Sequence, residues 1–253
     1  MDSTLFRYRF DLHRPKIGYT RVIALTGLFL GLVQAVAGQS TYKYVRKHKE
    51  DYDDKPIHFG FYYALPFTRY NVTYSPAFLD PIADSTLRIT SPSTSGFRVG
   101  FTLNALLDDN FDLRSNPGIS IYSRSVTYAL ANGTERTDVR ESTWIELPIL
   151  LKYKSARRVN SRMYLLAGAT LGIETNVRRR EALSQGRLNT NTTDLSLEYG
   201  VGFEQFFEYF KFAPELRFSH GITNAFGGKG SSTGSAGIQR LTTHSVTLYL
   251  NFE

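Results

Sequence analysis

Alternation of apolar and polar residues is the feature that most restricts how this chain can fold. From Ile57 to Phe67 every second residue is apolar, and the residues between them begin with His, Gly, Tyr and Ala. Successive side chains of a β-strand point to opposite faces, so this period predicts a strand with one apolar face. Five further segments repeat the pattern, beginning at Phe97, Ile145, Leu195, Phe210 and His244. Two more, about Leu113 to Tyr128 and Arg162 to Asn176, alternate more weakly, which gives eight predicted strands.

The connections between these strands indicate their arrangement. Those after the second, fourth and sixth strands are brief, near Leu107 to Asn110, Lys154 to Ser161 and Gln205 to Glu208. Those after the odd-numbered strands are longer and polar, notably Tyr70 to Ser95 and Gly221 to Arg240. Alternation alone would also suit a sandwich with a buried apolar face. Short turns on one side, long loops on the other and an even strand number are typical of outer-membrane barrels. We therefore expect an all-β fold, an eight-stranded antiparallel transmembrane β-barrel of the outer membrane.

An export signal precedes the strands. Val22 to Ala37 is mostly apolar, follows basic residues and ends with Ala35 and Ala37 in an A-x-A pattern before Gly38. This pattern predicts a signal peptide over residues 1–37. The alternative is a membrane anchor, but these sixteen residues fall short of the roughly 20 that a spanning helix needs. We expect a periplasmic lead-in over 38–55, a barrel over 56–253, and location in the outer membrane of a Gram-negative bacterium.

Charge and cysteine content narrow the functional classes. The net charge of +7 falls to +4 without residues 1–37, because 25 basic and 21 acidic residues remain. An exported chain with this modest excess does not require a nucleic-acid partner. The absence of cysteine excludes disulfides and thiolate metal sites, and we expect no cofactor.

The predicted strands place charged residues on the face opposite the apolar one. An eight-stranded barrel has an interior just wide enough for side chains to fill. The inward charged positions carry both signs, and they are Arg98, Glu146, Lys152, Glu198, Glu204, Glu215 and Arg217. We expect a packed plug of ion pairs; the alternative is a path for protons or ions.

Catalytic motifs are absent from the sequence apart from one candidate. Ser219-His220 and His244-Ser245 lie near the outer ends of the last two strands. Some small barrels hydrolyse lipid A acyl chains with a lipid-facing set of His, Ser and Glu. Adjacent residues of a strand point to opposite faces, which separates each Ser from its His. We therefore expect no enzymatic activity, no catalytic residue and no metal site, and a lipid A-modifying acyl hydrolase is the weaker alternative.

A basic cluster lies in the connection after the fifth strand. Its members are Arg178, Arg179, Arg180 and Arg187. They are consistent with a solvated loop or with contact to lipopolysaccharide phosphates, which the arginine fork binds well. Outer-membrane lipid and lipopolysaccharide are therefore expected partners.

Several segments resemble the PorT family, called SprT in gliding bacteria. The most specific is the opening D-D-K-P-I-H-F-G-F. The matches are Asp53–Phe61, Leu113-Arg114-x-x-Pro117-Gly118, Glu146–Tyr153, Tyr199–Gly202 and Phe210–Leu216. The resemblance implies an accessory component of the type IX secretion machinery, needed in some bacteria for gliding motility, with other secretion-system membrane proteins as partners. It transfers no catalytic residues. The competing class is a generic small barrel for adhesion or envelope integrity.

Overall fold

The computed structural model describes residues 46–75, 86–130, 133–175, 190–227 and 238–253. The predicted signal peptide and its cleavage residues Ala35, Ala37 and Gly38 lie outside these ranges. Lys47–Glu253 forms one compact unit. In its described part a 3-10 helix, Glu50–Tyr52, precedes eleven strands: β1 (Ile57–Tyr74), β2 (Thr86–Thr90), β3 (Thr94–Ser95), β4 (Phe97–Asp108), β5 (Phe111–Ser115), β6 (Gly118–Leu130), β7 (Glu135–Lys154), β8 (Ser161–Glu174), β9 (Thr193–Phe206), β10 (Lys211–Gly221) and β11 (Ile238–Phe252). No described helix is long and apolar enough to cross a membrane.

The sheet closes on itself through β1. One edge of β1 pairs antiparallel with β11, from Phe61↔Phe252 onwards, and the other pairs with β4, from Ile57↔Ala105 to Ala64↔Arg98. Each remaining wall also pairs antiparallel with its neighbours, in the order β4, β5–β6, β7, β8, β9, β10 and β11. With β5 and β6 counted as one wall, the ring has eight strands, which confirms the predicted fold. Each of the eight walls of the ring is thus paired with a neighbour on both sides, as a lipid environment requires.

The third predicted strand is interrupted, which explains its weak alternation. Asn116 and Pro117 separate β5 from β6. Proline has no backbone N–H to donate to a ladder. The two carbonyls at the break are bonded instead, because Tyr62 Oη donates to the Asn116 oxygen at 3.1 Å and the Phe101 nitrogen donates to the Pro117 oxygen at 3.0 Å.

The segment from Tyr70 to Ser95 was predicted as a loop, and this prediction is partly wrong. β1 continues to Tyr74, β2 pairs with β6, and β3 pairs with β1. The outward-facing residues of β1 beyond Phe67 are polar. The apolar alternation therefore stops at Phe67, although the strand continues to Tyr74. A hydrophobic cluster fills the interior of this extension: Tyr70, Ile89, Val126, Tyr128, Ala225, Ile238 and Leu241.

An apolar belt surrounds the outside of the barrel. Phe59, Phe101 and Ile149 are 74%, 73% and 65% exposed, as residues facing lipid would be. On β1 the belt runs from Ile57 to Phe67, about 33 Å of strand at about 3.3 Å per residue. A tilt of about 40° makes this about 25 Å tall, the height of the apolar band in outer-membrane barrels.

The two ends of the barrel differ. The short turns after β4, β7 and β9 lie at the same end as residues 47–56 and Glu253. In outer-membrane barrels the short turns are periplasmic. We call this the periplasmic end and the opposite one the outer end.

Candidate functional site

The barrel interior is the candidate functional site, because alternate residues of every wall bring charges into it. The seven charged residues predicted to point inward are all buried: Arg98, Glu146, Lys152, Glu198, Glu204, Glu215 and Arg217. The interior also buries charges that the sequence analysis did not single out, among them Arg114, Arg162, Lys211, Asp112 and Lys154. Each of these five occupies an inward position of its strand, so the same period of two could have found them.

Glu204 of β9 is the centre of a cationic cluster near the periplasmic end. Its side chain is fully buried and forms ion pairs with Lys152, Arg162 and Lys211, the last at 2.9 Å from Nζ to Oε1. Lys152 and Lys154 also pair with Asp112, at 3.7 and 2.6 Å. A buried ion pair offsets its desolvation cost only where its polar atoms are well partnered. Here Glu204, Lys152 and Asp112 each contact at least two groups of opposite charge.

Glu253 supplies a second carboxylate beside this cluster. It lies 2.7 Å from Lys211 Nζ and 3.0 Å from Arg114 Nη2. It also accepts hydrogen bonds from Tyr52 Oη at 2.6 Å and from Asn104 Nδ2 at 2.7 Å. Burial alone would raise the pKa of Glu253, but Lys211 and Arg114 hold the pKa below its usual range. The carboxylate therefore stays charged and anchors the periplasmic end of the network.

Glu215 of β10 occupies the middle of the interior. It pairs with Arg114 and Arg217, and accepts a hydrogen bond from Tyr164 Oη at 2.5 Å. The Tyr164 ring lies directly against Gly202 of β9, where a Cβ atom would overlap it. Glycine at this position thus allows the aromatic ring to fill the interior beside the ion pairs.

Arg98 and Glu146 form an ion pair nearer the outer end. Tyr122 Oη donates to Glu146 at 2.5 Å, and Arg98 Nε donates to Ser120 at 2.7 Å. A cavity of about 30 Å³ lies beside them. This is room for about two water molecules. The ion pairs and tyrosines therefore fill most of this level of the barrel.

The described part of the predicted lead-in packs against the periplasmic mouth. Asn160 Oδ1 accepts from the His48 nitrogen at 2.8 Å, and Arg157 Nη1 donates to the Lys49 oxygen at 3.1 Å. The Arg157 guanidinium lies 3.7 Å from the ring centre of Phe206. These contacts tie the chain before β1 to the β7–β8 turn.

Tyr52 completes this closure from within the lead-in. Its ring stacks on His58 with centroids 3.8 Å apart. Burial and the Glu253 carboxylate raise the pKa of Tyr52, so its hydroxyl remains a neutral donor. The stacked rings of Tyr52 and His58 thus close the periplasmic mouth beside the ion pairs.

The enzymatic candidate does not assemble. Ser219 and Ser245 line the interior cavity, whereas His220 is exposed on the lipid-facing side of the wall and bonds there to His244. Each Ser is therefore on the opposite side of the barrel wall from its neighbouring His. The described residues contain no group of three or more His, Cys, Asp or Glu suited to a metal ion.

The predicted lipopolysaccharide cluster is not part of the described site. Arg178, Arg179, Arg180 and Arg187 lie outside the described residues.

Comparison with known proteins places the chain in a family. Among solved structures, the outer membrane protein OprG from Pseudomonas aeruginosa has a TM-score of 0.43 and 12% identity, covering 78% of this chain and 92% of that one. No curated protein matches the sequence. The family described as "Outer membrane protein beta-barrel domain" matches residues 39–227, which is most of the chain. The protein therefore belongs to this family of outer-membrane β-barrels and resides in the outer membrane.

Proposed function

We propose that this barrel is a non-catalytic accessory component of the type IX protein secretion machinery. The observation that carries the proposal is the filled interior. Arg114 and Glu204 are fully buried within a network of ion pairs, and the lead-in packs over the periplasmic mouth. A barrel of eight strands has no room for a folded protein. Its contribution to secretion is therefore made beside a larger conduit.

The resemblance to the PorT family supports the choice of machinery. The segment Asp53–Phe61 crosses from the lead-in into β1, and Asp53 pairs with Arg162 at 2.7 Å. The run Phe210–Leu216 contains Lys211 and Glu215, which hold together the periplasmic and middle parts of the network. The family-like segments thus coincide with residues that fill and close the barrel, as expected if this plugged form is what the machinery uses.

Deletion of the gene in the bacterium that encodes it tests the proposal. The measured quantity is the fraction of proteins with a C-terminal sorting domain that reaches the cell surface. We expect these proteins to accumulate in the periplasm and to be exported again when the wild-type gene is returned. The protein should also co-purify with other secretion-system membrane proteins from native outer membranes.

Normal export in the deletion strain would overturn the proposal. Increased uptake of a membrane-impermeant dye in that strain, with export intact, would instead support the generic barrel for envelope integrity. Loss of surface attachment alone would support adhesion. A strain carrying Glu208→Ala, a change in an exposed turn residue, serves as a matched control that should export normally.

A further inference from the structure

Three basic side chains form one row on the lipid-facing surface of the barrel wall. His220 of β10 pairs in register with His244 of β11, which pairs with Arg69 of β1. Directly opposed residues share a face and have Cβ atoms about 5 Å apart. Arg69 and His220 are exposed and His244 is half-buried. We call these three residues the basic row.

The contacts within the basic row leave its charge unneutralised. The two histidine Nδ1 atoms are 2.7 Å apart, so one carries the hydrogen and the other accepts it. Tyr199 Oη lies 3.1 Å from His220 Nε2, and their rings are stacked with an interplanar angle of 20°. No carboxylate within the described ranges pairs with Arg69. The row therefore offers an unpaired guanidinium beside two imidazoles and a phenol hydroxyl.

The basic row lies at the outer boundary of the apolar belt. The next row towards the periplasmic end consists of Phe67, Val246 and Phe218, all apolar. The next towards the outer end contains Asn71 paired with Thr242. The change from apolar to polar rows marks the level where lipid acyl chains give way to headgroups. A ligand of the row would thus stand at headgroup depth.

We propose that the basic row, together with Tyr199, binds a phosphate group of a glycolipid in the outer leaflet. The arginine fork binds phosphate through two parallel hydrogen bonds, and His244 Nε2, which the contacts within the row leave unused, adds a further donor when His220 Nδ1 donates to His244 Nδ1. Location at headgroup depth favours a lipid phosphate over a free one. A divalent cation fits less well because Arg69 repels it, and the described residues provide no third ligand.

Binding to the purified full-length barrel in detergent micelles tests this site. The probes are bisphosphorylated lipid A, the same lipid A after removal of its phosphates, inorganic phosphate alone and Zn²⁺ alone. The variant R69Q/H220Q/H244Q removes the row. R158Q removes an exposed positive charge from the periplasmic β7–β8 turn and is the matched control. Heat-dependent gel migration verifies that each variant is folded.

We expect bisphosphorylated lipid A to bind the triple variant about tenfold more weakly or worse, since charge-assisted hydrogen bonds are lost. R158Q should bind bisphosphorylated lipid A like wild type. Wild type should bind dephosphorylated lipid A as weakly as the triple variant binds the bisphosphorylated form. R69K, which keeps the charge but lacks the fork, should bind with intermediate affinity and provides a test if the triple variant fails to fold. Equal binding of both lipids or by all variants would overturn the site. If inorganic phosphate binds as tightly as lipid A, the assignment of the ligand to a lipid is overturned. If Zn²⁺ binding depends on the two histidines while the triple variant binds lipid A like wild type, the assignment of the site to an anion is overturned.

Discussion

Lys211 and Glu253 are joined through both their backbones and their side chains. The Lys211 nitrogen donates to the Glu253 oxygen at 2.6 Å, and the Glu253 nitrogen donates to the Lys211 oxygen at 2.9 Å. The Lys211 ammonium lies 2.7 Å from the Glu253 carboxylate. The β10–β11 ladder and the interior charge network therefore meet at one point, at the periplasmic end.

Replacing Glu253 with Ala should destabilise the barrel. The change leaves Lys211 and Arg114 with fewer acidic partners in a buried site, which costs about 3 kcal/mol when one partner of a buried ion pair is removed. Urea unfolding of the protein in lipid vesicles measures the free energy of unfolding. Glu208→Ala, in the nearby exposed turn, should change it little. Equal stability of the two variants would show that the Glu253 interactions contribute nothing net.

Stability should fall in acid partly because of Glu253. Its pKa is lower in the folded state than the ordinary value of 4.5, so it stabilises the fold above that pH. This contribution is lost as the pH falls below about 4.5 towards the folded-state pKa. Unfolding midpoints between about pH 7 and pH 3 should therefore decrease less steeply in Glu253→Gln than in wild type. Parallel pH profiles would contradict the assignment.

Gly202→Ala should destabilise the barrel because the new Cβ overlaps the ring of Tyr164. Overpacking of this kind costs about 1–3 kcal/mol. Gly172→Ala is the matched change, since its Cβ would lie 3.2 Å from a Trp144 ring carbon, and should cost less. Urea unfolding of both variants makes the comparison. A larger loss in Gly172→Ala would contradict the packing seen at Tyr164.

Arg157→Ala should release the lead-in from the periplasmic mouth. The variant loses the hydrogen bond to the Lys49 carbonyl and the contact with the Phe206 ring. Hydrogen–deuterium exchange of residues 46–55 should become faster, while the strands remain protected. Arg158→Ala, in the same turn but exposed, is the control. Unchanged exchange in Arg157→Ala would mean that other contacts hold the lead-in.

Vesicles containing the protein should exclude small sugars. The interior is filled by ion pairs and tyrosines, and the cavity beside Arg98 and Glu146 has a volume of only about 30 Å³. Osmotic swelling of vesicles in arabinose should match that of protein-free vesicles, with a general porin as the positive control. Rapid swelling would show that the plug opens.

The sequence by itself determined the kind of barrel and which residues face its interior. A period of two assigns each residue to the lipid face or the inner face, and this placed Arg98 and Glu215 on the inner face without any tertiary information. The eight strands followed from the same pattern, and the short periplasmic turns followed from the lengths of the connections. The period weakens where Pro117 divides a strand, and it ends on β1 where polar residues replace the belt, so these two regions were predicted poorly.

Only the tertiary structure decided which side chains meet. Arg114 and Glu215 are separated by 101 residues, and Lys211 and Glu253 by 42. Contacts over such distances depend on strand register and on the closure of β1 against β11, and alternation does not encode either quantity. The basic row depends on the register of three strands in the same way. The period fixes the face on which a residue lies, and register and closure fix its neighbours.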